Sequence, residues 1–274
     1  MSRSIDAVNR PARSAVQQLD AWIGWIPSAV SMPLELILSL PYLGRVLSLI
    51  WKSALAMGWA VLHLPYGLLA LIGIQPEMRL RIHLLVATGN GNMPEGAEKR
   101  VGKALQVAAR ILKQEANVRL VLLNGPESDE VGWPVTKPLG LAWERKGAEP
   151  GVVACNMAAL WEDLSPVGGR FDRAALRGDP WGSYRRIIGW GAPLATFFVD
   201  EVEPGLAGCS LGPLTDYVTV LADKPVCLAH ELAHACNLWH RAADLNLMNS
   251  TCGGVHLERW QVALLRMSRH VTAW

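Results

Sequence analysis

An uncharged apolar run, Ser53 to Ile74, reading SALAMGWAVLHLPYGLLALIGI, constrains the fold of this chain more than any other feature. Its 22 residues contain no Asp, Glu, Lys or Arg and a single histidine, His63. As a helix rising 1.5 Å per residue it would extend ~33 Å, enough to cross a hydrocarbon core of ~30 Å. Pro65 and Gly67 lie inside it, and membrane helices tolerate both. Four of the twelve tryptophans, Trp22, Trp25, Trp51 and Trp59, lie in or beside residues 21–75, as an aromatic belt would. The earlier run Leu34 to Ile50 is apolar but interrupted by Pro41 and Arg45. It reads as a second crossing, an interfacial helix or one arm of a re-entrant hairpin. A signal peptide fits poorly, because the apolar core starts late, runs long and lacks a small-residue cleavage site. Two buried helices capping the C-terminal domain are the alternative to a membrane anchor. A single crossing leaves the basic N-terminus inside and the rest of the chain extracytoplasmic, whereas a hairpin reverses that.

Charge separates this region from the rest of the chain. Residues 1–75 hold Asp6, Asp20 and Glu35 against Arg3, Arg10, Arg13, Arg45 and Lys52. Taking these three and five from totals of 24 acidic and 26 basic residues leaves 21 of each in residues 76–274. That neutral balance gives no surplus for phosphate contacts, so nucleic acid is not an expected partner. The chain is 51% hydrophobic and 18% charged, more apolar than soluble enzymes usually are, and residues 21–75 account for the excess. Gln75 and Pro76 mark the boundary between a membrane-associated helical region, residues 1–76, and a second domain, residues 77–274.

In the second domain, Leu80 to Thr88 reads as a buried strand and residues 95–116 as an amphipathic helix. Ala97, Val101, Ala104, Leu105, Ala108, Ile111 and Leu112 fall on that helix's apolar face. Val118 to Leu123 is a second strand, and strand–helix–strand order implies a crossover in a mostly parallel sheet. Ala195 to Val202 and Tyr217 to Ala222 are further strands, with Gly205 to Pro213 between them as a short edge strand. Residues 124–193, rich in Gly, Pro and Trp, show little periodicity and suggest no function.

The chemistry is concentrated in His230-Glu231-Leu232-Ala233-His234-Ala235-Cys236-Asn237-Leu238-Trp239-His240. A helix puts residues i and i+4 on one face, so His230 and His234 can aim two imidazoles at one ion. Glu231 neighbours the first of them and can reach a water on that ion. Catalytic zinc sites keep three protein ligands and leave a fourth position for water, whose proton a carboxylate can take. His240 stands six residues beyond His234, too far along to share its helical face. The helix must end and the chain reverse, and Asn237 suits a left-handed helix-ending conformation.

HELAHACNLWH is similar to the metzincin signature HExxHxxGxxH, with Asn237 where glycine is usual, and Met248 stands where a metzincin Met-turn is expected. The order of strand, GLAGCSLGP loop, strand, zinc helix, Met-turn and final helix (Leu257 to His270) resembles the matrixins in particular. The resemblance covers roughly residues 80–274, most closely 195–265. It implies an α/β (α+β) zincin domain with a mixed twisted sheet and an active-site helix. It further implies one catalytic Zn2+ on His230, His234 and His240, with Glu231 as general base for peptide-bond hydrolysis. A protein or peptide substrate would lie along Gly208, Cys209, Ser210 and Leu211. The sequence departs from the family pattern in three ways: Asn237 replaces glycine, no tyrosine follows Met248, and no cysteine-switch propeptide is recognisable.

The remaining candidates are weaker. His63 reads as packed or interfacial, His83 as a solvent-side strand residue, and His256 and His270 have no partner pattern. Asp244 suits either a carboxylate orienting His240 or a cap. Five cysteines (Cys155, Cys209, Cys227, Cys236 and Cys252) leave at least one thiol free or intermolecular, and outside the cytoplasm a disulfide from Cys209 to Cys236 or Cys252 is open to them, with the pairing otherwise unassigned. The whole points to a membrane-anchored zinc endopeptidase with an extracytoplasmic domain. A zinc hydrolase of non-peptide amides and a binding protein with structural zinc are the alternatives.

Overall fold

The computed structural model describes residues 43–88, 96–123, 140–142, 152–153, 155–164, 185–199, 201–202 and 205–273. The basic segment 1–20, Trp22, Trp25, most of Leu34 to Ile50 and most of residues 124–193 lie outside the described residues. In chain order the elements are α1 (Leu43–Leu62), α2 (Leu64–Leu71), β1 (Met78–Thr88), α3 (Ala97–Ala116), β2 (Val118–Leu122), β3 (Gly140–Ala142), β4 (Val152–Val153) and α4 (Met157–Asp163). They continue with β5 (Leu194–Val199), β6 (Glu201–Val202), β7 (Gly208–Cys209), a 3-10 turn (Gly212–Leu214), β8 (Tyr217–Leu221), α5 (Pro225–Ala235), α6 (Arg259–Arg266) and β9 (Val271–Thr272).

The fold is mixed α/β, built on a mixed sheet in the order β2-β1-β5-β8-β7. The first four of these strands run parallel, and β7 pairs antiparallel with β8 at the edge. On β1, β3 adds a parallel pairing at one end and β9 an antiparallel pairing at the other. The strand–helix–strand unit read from the sequence is present as β1-α3-β2. Leu80, Ile82 and Leu84 on one face of β1 join Val101, Leu105 and Leu112 of α3 and Leu228 and Leu232 of α5 in one buried core. Leu85, Ala195 and Phe197 on the opposite face join a second core.

His83 is buried, not solvent-facing as its alternation with core residues suggests. Alternation marks a wet face only when one side of a sheet is open, and here both sides of β1 are covered. The expected helix Ser53 to Ile74 is also revised. α1 is a single helix long and apolar enough to cross a membrane, but it ends at Leu62, and a separate α2 comes after it. Pro65 sits in the first turn of α2, where its missing N–H and fixed φ suit a helix start.

Both helices rest on the C-terminal part of the chain. Trp51 Nε1 donates to Ile187 O (3.2 Å), Trp59 Nε1 to Ile188 O (2.7 Å) and His63 Nδ1 to Ser268 O (3.2 Å). α2 packs on α6 through Gly67, where a Cβ would come 2.8 Å from Met267 Cγ. His63 is therefore a packed residue, as read from the sequence. Arg266, fully buried, donates to Ala116 O and Pro76 O at 2.6 Å each and ties the boundary of the two regions to α6.

Beneath α1 lies a buried ionic cluster. The Asp216 carboxylate accepts from the Arg269 guanidinium, and His270 Nε2 stands 4.0 Å away. Burial alone would raise the Asp216 pKa, but the positive charges of Arg269, Lys52 and Arg186 outweigh it and hold the carboxyl well below the usual range. Burial, with Arg269 acting in the same direction, lowers the His270 pKa to about 3, and its Nδ1 donates to Ala192 O at 2.7 Å.

These shifts set the acid behaviour. His270 is neutral when folded down to about pH 3 but takes up a proton near pH ~6.5 when unfolded. Between those values the unfolded chain binds more protons, so stability falls as pH is lowered, by at most ~1.4 kcal/mol per unit from this group. Thermal unfolding followed by circular dichroism should show Tm falling steadily below pH ~6.5. NMR should find the His270 ring untitrated above pH ~4. A ring that titrates near its ordinary value would contradict the buried, neutral assignment.

Candidate metal centre

Pro225 begins α5 and the helix delivers His230, Glu231 and His234 to the underside of the sheet's β7 edge. Helix spacing brings the two imidazoles together, with His234 Nε2 3.0 Å from His230 Nε2. α5 then ends as the sequence requires. Asn237 adopts φ 74°, Leu238 N–H donates to Ala233 O and Asn237 N–H to His234 O, both at 3.1 Å. That pair of bonds is a Schellman ending. The Asn237 amide donates to Leu264 O (3.3 Å), so the reversal is also fastened to α6. The turn returns His240 to the cluster, with its Nε2 3.2 Å from His230 Nε2. His230, His234 and His240 thus form a group able to hold a metal ion, three-membered among the described residues.

The hydrogen bonds around the rings decide what this cluster needs. His230 Nδ1 lies 2.7 Å from Leu247 O and His234 Nδ1 lies 2.8 Å from Leu238 O. A carbonyl only accepts, so each Nδ1 carries the proton and each Nε2 presents a bare lone pair. Burial lowers the His230 pKa and takes that of His234 down to about 4, so neither ring is charged at neutral pH. Two lone pairs 3.0 Å apart repel, and a cation between them removes the conflict. With ~2.0–2.1 Å zinc–imidazole bonds as the ruler, tetrahedral ligands stand ~3.3–3.4 Å apart. The observed 3.0 and 3.2 Å separations are slightly shorter than that, so the rings already stand near the spacing that one shared ion requires.

The carbonyl of Leu247 belongs to the expected Met-turn. Met248 is fully buried in the core, and its N–H is held by the Asn246 side chain at 2.9 Å. Asn246 in turn exchanges two hydrogen bonds with Gln261 of α6, at 2.7 and 3.1 Å. Gln261 also caps its own helix through Glu258 N–H. Sequence reading misses Leu247, Leu238 and this amide pair, since backbone acceptors and cross-element pairs leave no local pattern. Asp244 is exposed, and backbone carbonyls orient the rings of His230 and His234. His256 stands apart, next to Glu115.

Glu231 is buried beside the cluster. Burial raises its pKa to about 8, opposed by a hydrogen bond from the Ser210 N–H. Its side chain lies directly against Gly208, where an added Cβ would meet Cγ at 2.7 Å and Oε1 at 2.8 Å. Of the four residues expected to line the substrate, Gly208 and Cys209 form the edge strand. Ser210 comes next, and Leu211 enters the 3-10 turn.

Two disulfides form, Cys155 to Cys209 and Cys227 to Cys252, neither of them the Cys209–Cys236 or Cys209–Cys252 bridge that the sequence leaves open, and Cys236 is the free thiol. Cys236 closes α5 toward Ser268 and Arg269, away from β7, and burial pushes its thiol up to about 12. Cys209 is tied instead to the segment before α4, and both bridges flank Glu231. A Cys252 sulfur, a His230 nitrogen and a Glu231 oxygen also lie within 4.8 Å of one another. The bond to Cys227 occupies that sulfur. The chain matches no protein-family model and no curated protein.

The expected outcome of metal titration is one divalent transition ion per chain, read by elemental analysis after dialysis. His240→Ala should reduce the affinity more than the ~10–100-fold typical of losing an outer-shell partner, because it removes a direct ligand. Binding that persists unchanged in His240→Ala would show that the third ring is not a ligand.

Proposed function

We propose that the chain is a zinc-dependent endopeptidase of metzincin-like architecture, anchored at a membrane. One observation carries the reading: His230 and His234, uncharged and proton-bearing on Nδ1, aim bare nitrogens at one point, with His240 completing the set. The buried carboxyl of Glu231 and a sheet edge adjoin that point. The Asn237 reversal and the buried Met248 turn support the metzincin comparison, as does an antiparallel edge strand above the helix. Structural zinc is favoured less, because structural sites take four protein ligands and this group has three among the described residues.

A zinc ion bound by the three imidazoles would supply Lewis acidity and lower the pKa of a water to ~7. The protein's own groups supply the rest. Glu231 takes the water proton and returns it to the leaving amine, a transfer suited to a carboxyl whose burial raises its pKa to about 8. A nearby cation shifts that pKa downward, toward the working pH. Leu247 O and Leu238 O keep the rings in the ligating tautomer. The outer edge of β7, unpaired among the described residues, offers backbone groups to an extended peptide, in the manner of strand addition. Two disulfides favour an oxidising compartment and support an extracytoplasmic domain.

The test is cleavage of a mixed peptide library by the full chain, with and without chelator. Glu231→Ala should retain its metal yet lose ~10²–10⁴ in turnover. Gly208→Ala should also retain metal and lose activity, because the new methyl collides with the Glu231 side chain. Full activity in Glu231→Ala would overturn the mechanism. Metal bound one-to-one with no peptide cut would point to a non-peptide amide.

A further inference from the structure

The outer surface of α1 and α2 is an apolar face that none of the described residues covers. Ile50, Met57, Val61, Leu68, Leu71 and Ile72 are all exposed there, recurring at helical spacing along one side. The opposite side carries the small and polar residues Gly44, Ser48, His63, Gly67 and Ala70, which are buried. This is inverted amphipathicity: the helices turn their polar side to the protein and their aliphatic side outward.

Contact with the second domain continues along the whole length. Lys52 faces Asp216, Trp51 and Trp59 donate to the carbonyls of Ile187 and Ile188, His63 to Ser268, and Gly67 abuts Met267. Within α1 the contact runs from Ser48 to Trp59, about 17 Å of helix, and it continues across the break at His63 to Gly67 of α2. A helix crossing a bilayer needs nearly all of that length free of polar protein. Upright insertion would drag the Asp216–Arg269 cluster into hydrocarbon. Lying flat removes the conflict, because the apolar side can enter the lipid while the docked side remains with the domain.

The composition of the face selects lipid over a protein partner. Protein interfaces carry hydrogen-bonding groups throughout, about one bond per 100–200 Å2, and are enriched in Tyr and Arg. The six exposed residues offer no side-chain hydrogen-bond donor and are nearly all aliphatic. No acidic residue occurs between Leu43 and Pro76, where Arg45 and Lys52 are the only charges, and the apolar sequence continues upstream through residues 21–42.

We propose that α1 and α2 form an in-plane docking face, in which the side bearing Ile50, Met57, Val61 and Leu68 enters one leaflet of a bilayer while the opposite side stays on the domain. This inference rests on the membrane anchoring in the proposed function and is independent of its peptidase part. It holds the domain permanently against the membrane surface and orients it there.

Depth-dependent fluorescence quenching tests it on the full chain. Ile50→Cys, Met57→Cys, Val61→Cys and Leu68→Cys, made singly, receive a bimane label, and Lys99→Cys on exposed α3 serves as control. Buried Cys236 is shielded from the label. Vesicles of phosphatidylcholine and phosphatidylglycerol carry a quencher near the headgroups or near the chain ends. Unchanged circular dichroism confirms that each labelled chain is folded. The expected result is loss of fluorescence to the same extent at all four positions, stronger with the shallow quencher, and none at Lys99→Cys. Deep quenching at Met57→Cys and Val61→Cys with shallow quenching at the outer two would establish a crossing and overturn the proposal. So would vesicle binding with no quenching at any of the four, which would assign the anchor to residues 1–42 and the face to a protein partner.

Discussion

Two neutral imidazoles cannot hold unprotonated nitrogens 3.0 Å apart unless something fixes both rings and something positive lies between them. Much of the C-terminal half of this protein serves that arrangement. Leu238 reaches His234 because Asn237 reverses the chain in a left-handed conformation. Leu247 reaches His230 because Asn246 and Gln261 clamp the Met248 turn to α6. α6 is itself held by Arg266, whose guanidinium bridges two distant carbonyls, and by α2 packed along it. The site therefore depends on residues up to the last helix, and on the N-terminal helices behind it.

Glu231 is set by a second constraint, the closeness of the edge strand. Gly208 has no positive φ to explain it, and its missing side chain is the space Glu231 occupies. Cys209, next to it, is bonded to Cys155, while Cys227 and Cys252 join the start of α5 to the loop beyond Met248. One bridge thus fastens the edge strand beside Glu231 to the segment before α4, and the other fastens the start of α5 to the loop beyond Met248. They also close loops with separations of 54 and 25 residues, which by chain entropy contributes ~2–4 kcal/mol each to stability.

How much of this is legible in the sequence depends on the range of each interaction. The i, i+4 histidines, the Asn237 reversal, the α3 stripe and the β1, β2 and β8 strands are local patterns, and each appears where the residues place it. His83 is misread because alternation records only that one face is apolar, and β1 has neighbours over both. The disulfide pairing is left open by the sequence because partners are chosen by tertiary proximity, which spacing does not encode. The division of the apolar run at His63 is hidden because Pro65 is tolerated in a membrane helix and equally starts a new one. Ring-orienting carbonyls and the Gly208 contact leave no sequence trace at all.

The proposed function stands or falls on a site of three imidazoles with one coordination position left for solvent. X-ray absorption on the zinc-loaded chain reads that coordination shell. Three nitrogen ligands and one oxygen at ~2.0–2.1 Å, with no sulfur, are expected. A sulfur shell near ~2.3 Å, or four protein ligands, would contradict the catalytic site and assign the ion a structural role.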